Sequence, residues 1–352
     1  MTSPQLIQPA LAAAYPRVPG YLNTASYGLP PRASTAALHA AADEWAQGRL
    51  GPARMDPMVD RMRAAYGTLV GADAADVTLA GSVSQVVGMV AASLPDGARV
   101  LAVQNDFASV LFPFLNDPRL RVKLVELDDL VDAIRPGIDL VAVSAVQSCD
   151  GRVANLDAIA EATRASGVKT LIDVSHAAGW LPLRARDFDV TVGAVYKWLT
   201  APRGMALAAI HPRATWLRAV DASWYGADEP WNSLYGPDPK PSRSARRFDT
   251  SPPWQLVEAG ALALEGLAGA NRKHVNAYVV GLANQFRARM GLPAGESPIV
   301  SIEGADAKAL AEAGIAASAR DGKVRLSFYL YNTERDVDLA VDALRIRTLQ
   351  HA

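Results

Sequence analysis

The stretch that decides the fold of this chain is LIDVSHAAGWLPLRARDFDVTVGAVYKWLTAPRG, residues 171–204. An apolar run over 169–172 predicts a short strand that ends at Asp173. A second apolar run, over 190–195, delivers Lys197 into a turn rich in proline and glycine. A lysine at the end of a buried strand is costly unless something at that place needs an amine. The stretch therefore predicts a functional amine close to a buried acid.

The cofactor pyridoxal phosphate (PLP) needs this pair of groups, because a lysine holds it as a Schiff base and an acid pairs with its ring nitrogen. The stretch also resembles the class V aminotransferase family of PLP enzymes, which includes cysteine desulfurases, kynureninase-like lyases and isopenicillin N epimerase-like proteins. The family pattern has an Asp, then a Gln or His, then Ala-x-Gly, with the Schiff-base lysine before a later Pro-x-Gly. Here it reads Asp173, His176 and Gly179, followed by Lys197 and Pro202-Arg-Gly204.

The resemblance covers most of the chain and implies an architecture. It implies an α/β protein of PLP fold type I, with a large domain on a mostly parallel seven-stranded sheet and a small C-terminal α/β domain. The alternation of buried strands and helices between residues 77 and 210 supports this independently. We predict an N-terminal arm at 1–20, a large PLP-binding domain at 21–254 and a small domain at 255–352, with which the N-terminal segment packs. The cofactor is expected at the carboxyl ends of the strands.

Composition sets limits on the class of protein. The chain has 352 residues, of which 50% are hydrophobic and 20% charged, so a sizeable core and about two domains are expected. The net charge of −1, without charged blocks, gives no support for a nucleic-acid partner. We find no signal-peptide pattern and no run of the ~18 apolar residues that span a bilayer. The single cysteine excludes an intrachain disulfide framework, so we expect a soluble cytoplasmic protein.

The turn after a predicted strand at 77–80 is a candidate phosphate site. Ser82, Val83 and Ser84 precede an apolar run, where free backbone N–H groups at a helix N-terminus favour an anion. The resemblance implies that this anion is the PLP phosphate, bound by backbone N–H groups with help from the two serines. The alternative is ordinary helix N-capping.

Other cofactor contacts are implied by the resemblance. Phe107 takes the place of the ring that stacks on the pyridine, which is histidine in desulfurases; the alternative is a core residue. Gln147 takes the place of a donor to the phenolic oxygen, and His176 lies near the same oxygen. Tyr196 stands where relatives have a phosphate-binding His or Ser. Thr250 matches a Thr that reaches the phosphate of the neighbouring subunit, although here Asp249 precedes it and the family's Gly is absent.

Arg325 is the candidate substrate residue. It lies in KVRLSFYLYNT, which resembles the family's C-terminal strand, where the arginine clamps the substrate α-carboxylate through a bidentate interaction. The alternative is an arginine on the surface of a strand. In the shared mechanism, Lys197 holds PLP and then moves the α-proton, while Asp173 keeps the ring nitrogen protonated.

The reaction type is open between three outcomes. We predict an enzyme acting at the α-carbon of an amino acid or related amine, with an aminotransferase favoured and a C–S lyase acting by β-elimination or an epimerase as alternatives. A persulfide-type cysteine desulfurase needs a cysteine shortly before the Arg325 strand, but residues 312–324 contain none and Cys149 lies elsewhere, so we predict that the chain is not one. A non-catalytic PLP-fold module is disfavoured because Lys197, Asp173 and Arg325 are all present.

The sequence also supports predictions about partners and about cofactors other than PLP. A homodimer with a shared active site is expected, because family sites are completed across the subunit interface. The chain contains no G-x-G triplet, so a dinucleotide fingerprint is absent. The five histidines show no metal-binding spacing, and we predict no metal site.

Overall fold

The fold is seen in a computed structural model that describes residues 9–348. Residues 1–8 of the predicted arm and residues 349–352 of the predicted small domain lie outside the described residues. The described strands are β1 (Val77–Ala80), β2 (Arg99–Val103), β3 (Arg121–Val125), β4 (Leu140–Ser144), β5 (Lys169–Asp173), β6 (Val190–Ala194), β7 (Ala206–Ile210), β8 (Ile299–Ile302), β9 (Ser318–Arg320) and β10 (Lys323–Ser327). The described helices are α1 (Pro9–Ala13), α2 (Arg32–Ala46), α3 (Pro52–Val70), α4 (Val83–Ser93), α5 (Ala108–Leu115), α6 (Leu130–Ala133), α7 (Leu156–Ser166), α8 (Trp254–Ala268), α9 (Arg272–Arg289), α10 (Ala307–Glu312) and α11 (Glu334–Thr348).

The larger sheet has seven strands in the order β1-β7-β6-β5-β4-β2-β3. The pairs from β6 to β3 are parallel, while β7 is antiparallel to both β6 and β1. The predicted fold class, with a mostly parallel seven-stranded sheet and a smaller C-terminal sheet, is confirmed. Every position of β4, β6 and β7 is buried, because helices cover both faces of the sheet.

Alternate residues of the central strands enter two different cores, as the two-residue period of a strand requires. In β2, for example, Leu101 and Val103 belong to one cluster, and Val100 and Ala102 to the other. Helices α2, α3 and α8 pack together, and the buried residues of α3 and α8 join the first cluster. Helix α4 contributes to the second cluster on the opposite face. The central strands of the sheet are thus covered on both faces, and their carboxyl ends are the place left for a site.

The smaller sheet is antiparallel, in the order β8-β10-β9. Its own core takes residues from α9, α10 and α11. The N-terminal segment joins it: Leu22 is buried in that core, and Ser327 N donates to the Leu22 carbonyl at 2.8 Å. The predicted domain boundaries stay a prediction; helix α8, which begins at Trp254, packs in the first core of the large sheet.

Some elements differ from the predicted ones for local reasons. Helix α4 begins at Val83, inside the predicted turn, because the Ser82 hydroxyl caps it by accepting from Gln85 N. The apolar pattern does not predict strand β3, because β3 is an edge strand with exposed Arg121 and Lys123. Within residues 9–348, no helix has the length and apolar character needed to cross a membrane.

Candidate active site

Two parallel neighbours bring the acid and the amine together. Asp173 is the last residue of β5, and Lys197 lies three residues beyond the end of β6, which pairs with β5 in parallel. The carboxyl ends of parallel strands meet at one edge of a sheet, which is where α/β proteins bind ligands. Both side chains are buried: Asp173 is 4% and Lys197 6% exposed.

The environment of Lys197 favours the neutral amine. Burial is the largest effect that lowers the pKa of Lys197 to about 8; the charges of Arg325, Arg320 and Arg203 act in the same direction, and the Asp173 carboxylate opposes them. An amine with this pKa carries a much larger unprotonated fraction near neutral pH than an ordinary lysine does, and only that form is nucleophilic.

Asp173 is held by its own backbone turn. The Ser175 N–H donates to Asp173 Oδ1 at 2.7 Å. Burial raises the pKa of Asp173, whereas the hydrogen bond from Ser175 and the charge of Lys197 lower it. A cationic partner close to this buried carboxyl group would stabilise its charged form.

His176 connects the turn to the lysine. Its Nε2 lies 2.8 Å from Lys197 Nζ, and its Nδ1 accepts from Trp198 Nε1 at 3.3 Å. The Trp180 indole donates to the His176 carbonyl oxygen at 2.7 Å, so two buried tryptophans hold this histidine. Burial lowers the pKa of His176 well below its usual value, and the charge of Lys197 adds to this effect, so the ring is neutral.

Phe107 faces the lysine from another strand end. Lys197 Nζ lies 5.0 Å from the centre of the Phe107 ring, and this ring is 42% exposed. Its position is set by Asp106, whose side chain accepts from Phe107 N at 2.6 Å. An exposed aromatic ring at the edge of the site is an available stacking surface rather than a core residue.

Gln147 is buried near the end of β4, and its amide is already oriented. Gln147 Nε2 donates to Asp106 Oδ2 at 3.3 Å and to the Ser144 carbonyl at 3.4 Å, while Oε1 has no hydrogen-bond partner in the described part of the chain. Asp106 also accepts from Ser144 N at 2.7 Å, and burial raises the pKa of Asp106 against these hydrogen bonds. In this arrangement Gln147 presents an acceptor, not the donor that the sequence predicts; its cofactor contact stays a prediction.

The other predicted phosphate residues lie on separate elements. Ser82 is the N-cap of α4, as in the alternative of ordinary helix N-capping, and its Oγ lies 3.1 Å from Ser84 Oγ. Val83 is buried. The first N–H groups of any helix lack intrahelical acceptors, which leaves this end able to bind an anion. The ring centres of Tyr196 and Tyr27 lie 5.4 Å apart with the rings tilted by 41°, and Arg203 lies 4.9 Å from the Tyr196 ring centre.

Thr250 is half buried and directly follows Asp249. Asp249 is a structural residue: its carboxylate binds the Arg63 guanidinium, Thr78 Oγ1 at 2.8 Å and Leu79 N at 2.9 Å. These contacts tie the segment before α8 to β1. They explain why an acid stands before Thr250.

Arg325 lies in β10 and is 1% exposed. Its guanidinium donates to Ser148, through the carbonyl and the hydroxyl, to Ser26 Oγ at 3.0 Å and to Ser318 Oγ at 3.2 Å. All of these acceptors are neutral, and Arg325 forms no ion pair within residues 9–348. Burial, together with the charge of Arg320, lowers the pKa of Arg325 to about 10. The structure thus differs from the alternative of a surface arginine.

Comparison with known proteins agrees with this geometry. The model of the family "Aminotransferase class-V" matches residues 88–225, which include Asp173, His176 and Lys197. An uncharacterized aminotransferase, YcbU, of Bacillus subtilis (strain 168) is 25% identical over 312 residues, covering 81% of this chain and 82% of YcbU. A kynureninase of Deinococcus radiodurans is 29% identical over 265 residues, covering 69% of this chain and 63% of the kynureninase, which is less than two thirds of it.

Over residues 88–225 the chain is similar to the class V aminotransferase family. A solved structure of the cysteine desulfurase CsdA from Escherichia coli matches this chain with a TM-score of 0.81, covering 98% of this chain and 99% of that one. The two sequences are 19% identical, so this likeness shows the fold alone. Enzymes of the family depend on PLP, and the cofactor prediction is confirmed.

The residues of this site fit PLP. A buried amine of lowered pKa and a buried acid end two adjacent strands, and an exposed ring faces the amine. Gln147 Oε1 is an acceptor without a partner in the described chain, and Arg325 is a buried cation without an ion pair there. The amide oxygen therefore fits a hydrogen-bond donor and the guanidinium fits an anion, since buried polar atoms in native proteins are satisfied as a rule.

Several residues of the candidate site carry no signal in sequence alone. Asp106 comes after β2 in a loop, where an acid is common and does not indicate a site. Ser26 and Ser148 bind Arg325 although they are 299 and 177 residues away from it in sequence. Trp198 lies inside the lysine motif but contacts His176 through the fold. Gly28 also belongs to this group, because its backbone contacts Lys197. These contacts link distant segments, and no short-range pattern reports them.

Proposed function

We propose that this protein is a class V amino-acid aminotransferase in which Lys197 both holds PLP and moves the proton at the substrate α-carbon. The observation that carries the proposal is the buried Lys197 amine, 2.8 Å from a neutral His176, beside Asp173 at the end of the adjacent strand. When bound, PLP supplies the electron-withdrawing ring that stabilises negative charge at the α-carbon. The remaining steps belong to residues of this chain.

Lys197 is the proton carrier. Because its pKa is lowered to about 8, the amine is able to accept a proton and return it near neutral pH. Asp173 would hold the ring nitrogen of PLP by its negative charge, and the burial of this side chain excludes water that would weaken the attraction.

Arg325 orients the substrate. Its buried guanidinium has only neutral acceptors in this chain, which supports a role in binding the substrate α-carboxylate. Arginine suits this task because its planar donors match a carboxylate bidentately. Ser26 and Ser148 hold the guanidinium in place before the substrate arrives.

The phosphate is proposed to bind at the N-terminus of α4, at Ser82, Val83 and Ser84, with Tyr196 nearby. Thr250 is proposed to reach the phosphate of a second subunit, so the working enzyme is a homodimer with shared sites. The exposed Phe107 ring beside Lys197 is consistent with a site that needs further covering by cofactor and partner. We propose a cytoplasmic location, on the ground that the single cysteine suits a reducing compartment.

A persulfide-type desulfurase activity is not proposed. Residues 312–324 lack a cysteine, and Cys149, the only one in the chain, is half buried. Burial raises the pKa of the Cys149 thiol, and the charges of Asp150 and Asp321 add to this effect. Since the thiolate is the nucleophile, a raised pKa disfavours persulfide formation at this position.

The test is an amino-acid panel with the purified chain. Amino transfer that depends on an added keto acid supports the proposal, whereas pyruvate and thiol release without an acceptor would assign β-elimination. Exchange of the α-hydrogen without either product would assign epimerisation. Lys197→Ala is the control, and borohydride trapping should add cofactor mass to the Lys197 peptide of the wild type only. Wild type without this mass gain contradicts the proposal at its root.

A further inference from the structure

Trp198 contacts the histidine that contacts the lysine. An indole N–H can only donate a hydrogen bond, so His176 Nδ1, 3.3 Å from Trp198 Nε1, must carry a lone pair. A neutral imidazole carries one proton, which then resides on Nε2. The Nε2 atom lies 2.8 Å from Lys197 Nζ, so the amine must accept this hydrogen bond with its own lone pair.

The opposite arrangement is excluded by the same inventory of donors. A charged Lys197 has three donors and no acceptor. It would need His176 Nε2 as acceptor, which moves the ring proton to Nδ1, where it would point at the Trp198 N–H. Both hydrogen bonds can exist together only when the lysine is uncharged.

We infer that Trp198 is a positioning residue that locks His176 in the tautomer protonated on Nε2, and thereby holds Lys197 as the free amine. The inference rests on the proposed function of Lys197 and deepens it. The lock is rigid, because Trp198 is fully buried, its ring meets the Tyr329 ring edge-on at 5.2 Å, and its carbonyl accepts from the Tyr329 hydroxyl. The charged groups that act on the same amine are Asp173, Arg325, Arg320 and Arg203.

Trp180 is a matched control within the same site. It is equally buried and also donates to His176, but to the backbone carbonyl oxygen at 2.7 Å rather than to the ring. Its loss therefore removes an indole and a hydrogen bond from the same residue without changing the tautomer. If Trp198 had only a structural role, replacing Trp198 and replacing Trp180 would have equal effects on the pKa of Lys197.

The experiment follows covalent capture of PLP by the full-length chain after removal of cofactor. The capture rate of wild type should rise with pH, with its midpoint near the Lys197 pKa of about 8. Trp198→Phe should move the midpoint upward by about one pH unit, since a hydrogen bond that disfavours the charged lysine is lost. Trp180→Phe should leave it in place. In a His176→Gln background, adding Trp198→Phe should have no further effect.

The tautomer of His176 can also be measured directly in the wild-type chain, so this test does not depend on whether the Trp198 variant folds. The ¹⁵N shifts of the His176 ring in the wild-type chain, assigned with His176→Gln, should show the Nε2–H tautomer. An Nδ1–H tautomer, or equal midpoints for Trp198→Phe and Trp180→Phe, overturns the inference. Failure of wild type to capture PLP at all would instead sink the proposed function, and with it this inference.

A second, independent observation concerns Arg320 in β9. Arg320 and Arg325 both donate to Ser26 Oγ, at 3.3 and 3.0 Å, so two guanidinium groups share one neutral hydroxyl. Neither arginine has a carboxylate within ion-pair distance among residues 9–348, although Arg54, Arg61 and Arg63 all do. The charge of Arg320 lowers the pKa of Arg325, Lys197 and His176, so it acts on the site itself.

Given the proposed function, the α-carboxylate uses Arg325, and the charge of Arg320 stays uncompensated. We propose that the substrate of this site carries a second anionic group, which Arg320 binds. Arg320 is exposed, and this position suits the distal end of an amino acid whose amine lies at Lys197.

The test measures binding of aspartate and glutamate against asparagine and glutamine by the spectral change of the bound cofactor. Wild type should bind the acidic pair at least about tenfold more tightly, and Arg320→Met should remove that difference while leaving the amides unchanged. Lys323→Met is the control, because Lys323 is an exposed cation of the adjacent strand paired with Glu303. Equal binding of acids and amides by wild type overturns the proposal. Absence of any amino-acid response argues against the proposed function as well.

Discussion

The backbone of Gly28 packs directly on the carbonyl of Lys197: a Cβ at position 28 would lie 2.0 Å from that oxygen. Gly28 N also donates to the Tyr196 carbonyl at 2.9 Å, so the N-terminal segment is bound to the lysine turn by a contact that only glycine permits. This relationship explains why a Gly stands at position 28. It also makes position 28 a direct probe of the lysine turn.

Gly28→Ala should displace this turn. We expect a loss of about 1–3 kcal/mol in the free energy of unfolding, as in other overpacked sites, together with slower capture of PLP. Urea unfolding and borohydride trapping measure the two effects. Gly88→Ala is the control, because a Cβ at Gly88 in helix α4 meets nothing within 4 Å and should be neutral or stabilising. Equal behaviour of the two variants contradicts the prediction.

The Arg63–Asp249 pair should be a strong determinant of stability. Both side chains are almost fully buried, and Arg63→Met leaves the Asp249 carboxylate without its cationic partner. Breaking a buried pair on one side costs about 3–5 kcal/mol. Arg61→Met, which breaks the exposed pair with Glu265, should cost about 0–1 kcal/mol. Denaturant midpoints compare the two; a similar small loss in both would show that Asp249 is well satisfied without Arg63.

The lowered pKa of Lys197 predicts how stability depends on pH. The pKa is about 8 in the folded chain and 10.5 as the ordinary value, so between these values the unfolded state binds more protons. The free energy of unfolding should then rise with pH across this window. For the cofactor-free wild type relative to Lys197→Met, the rise should be about 3 kcal/mol. Urea titrations at several pH values test this, and a difference that does not change across the window would contradict it.

Much of the fold follows from short-range sequence patterns. Strands β4, β6 and β7 are continuous apolar runs because both faces are covered, and such runs are visible in sequence. The juxtaposition of Asp173 and Lys197 follows because both residues come at or just after the ends of parallel strands. Strand β3 could not be found in this way, since Arg121 and Lys123 on an edge resemble a loop.

The sequence predicts those site residues whose role depends mainly on their residue type. Lys197, Asp173 and Arg325 are examples, because an amine, an acid and a guanidinium each suit one task at a PLP site. The orientation of the Gln147 amide was not predictable, because it depends on Asp106, which is 41 residues away in sequence. The tautomer of His176 likewise depends on Trp198, at a separation of 22 residues. Such contacts exist only after the strands have assembled.

Arg325→Lys should separate substrate binding from cofactor binding. Lysine keeps the charge but loses the planar pair of donors, so an amino-acid substrate should bind about 10- to 100-fold more weakly, which corresponds to one or two charge-assisted hydrogen bonds. PLP capture on Lys197 should remain, because Arg325 contacts Ser26, Ser148 and Ser318 rather than the lysine. Amino-acid titrations monitored by the absorbance of the bound cofactor give the dissociation constants. Wild-type affinity in Arg325→Lys would assign the carboxylate contact to another residue, since a bidentate site cannot lose its geometry without losing affinity.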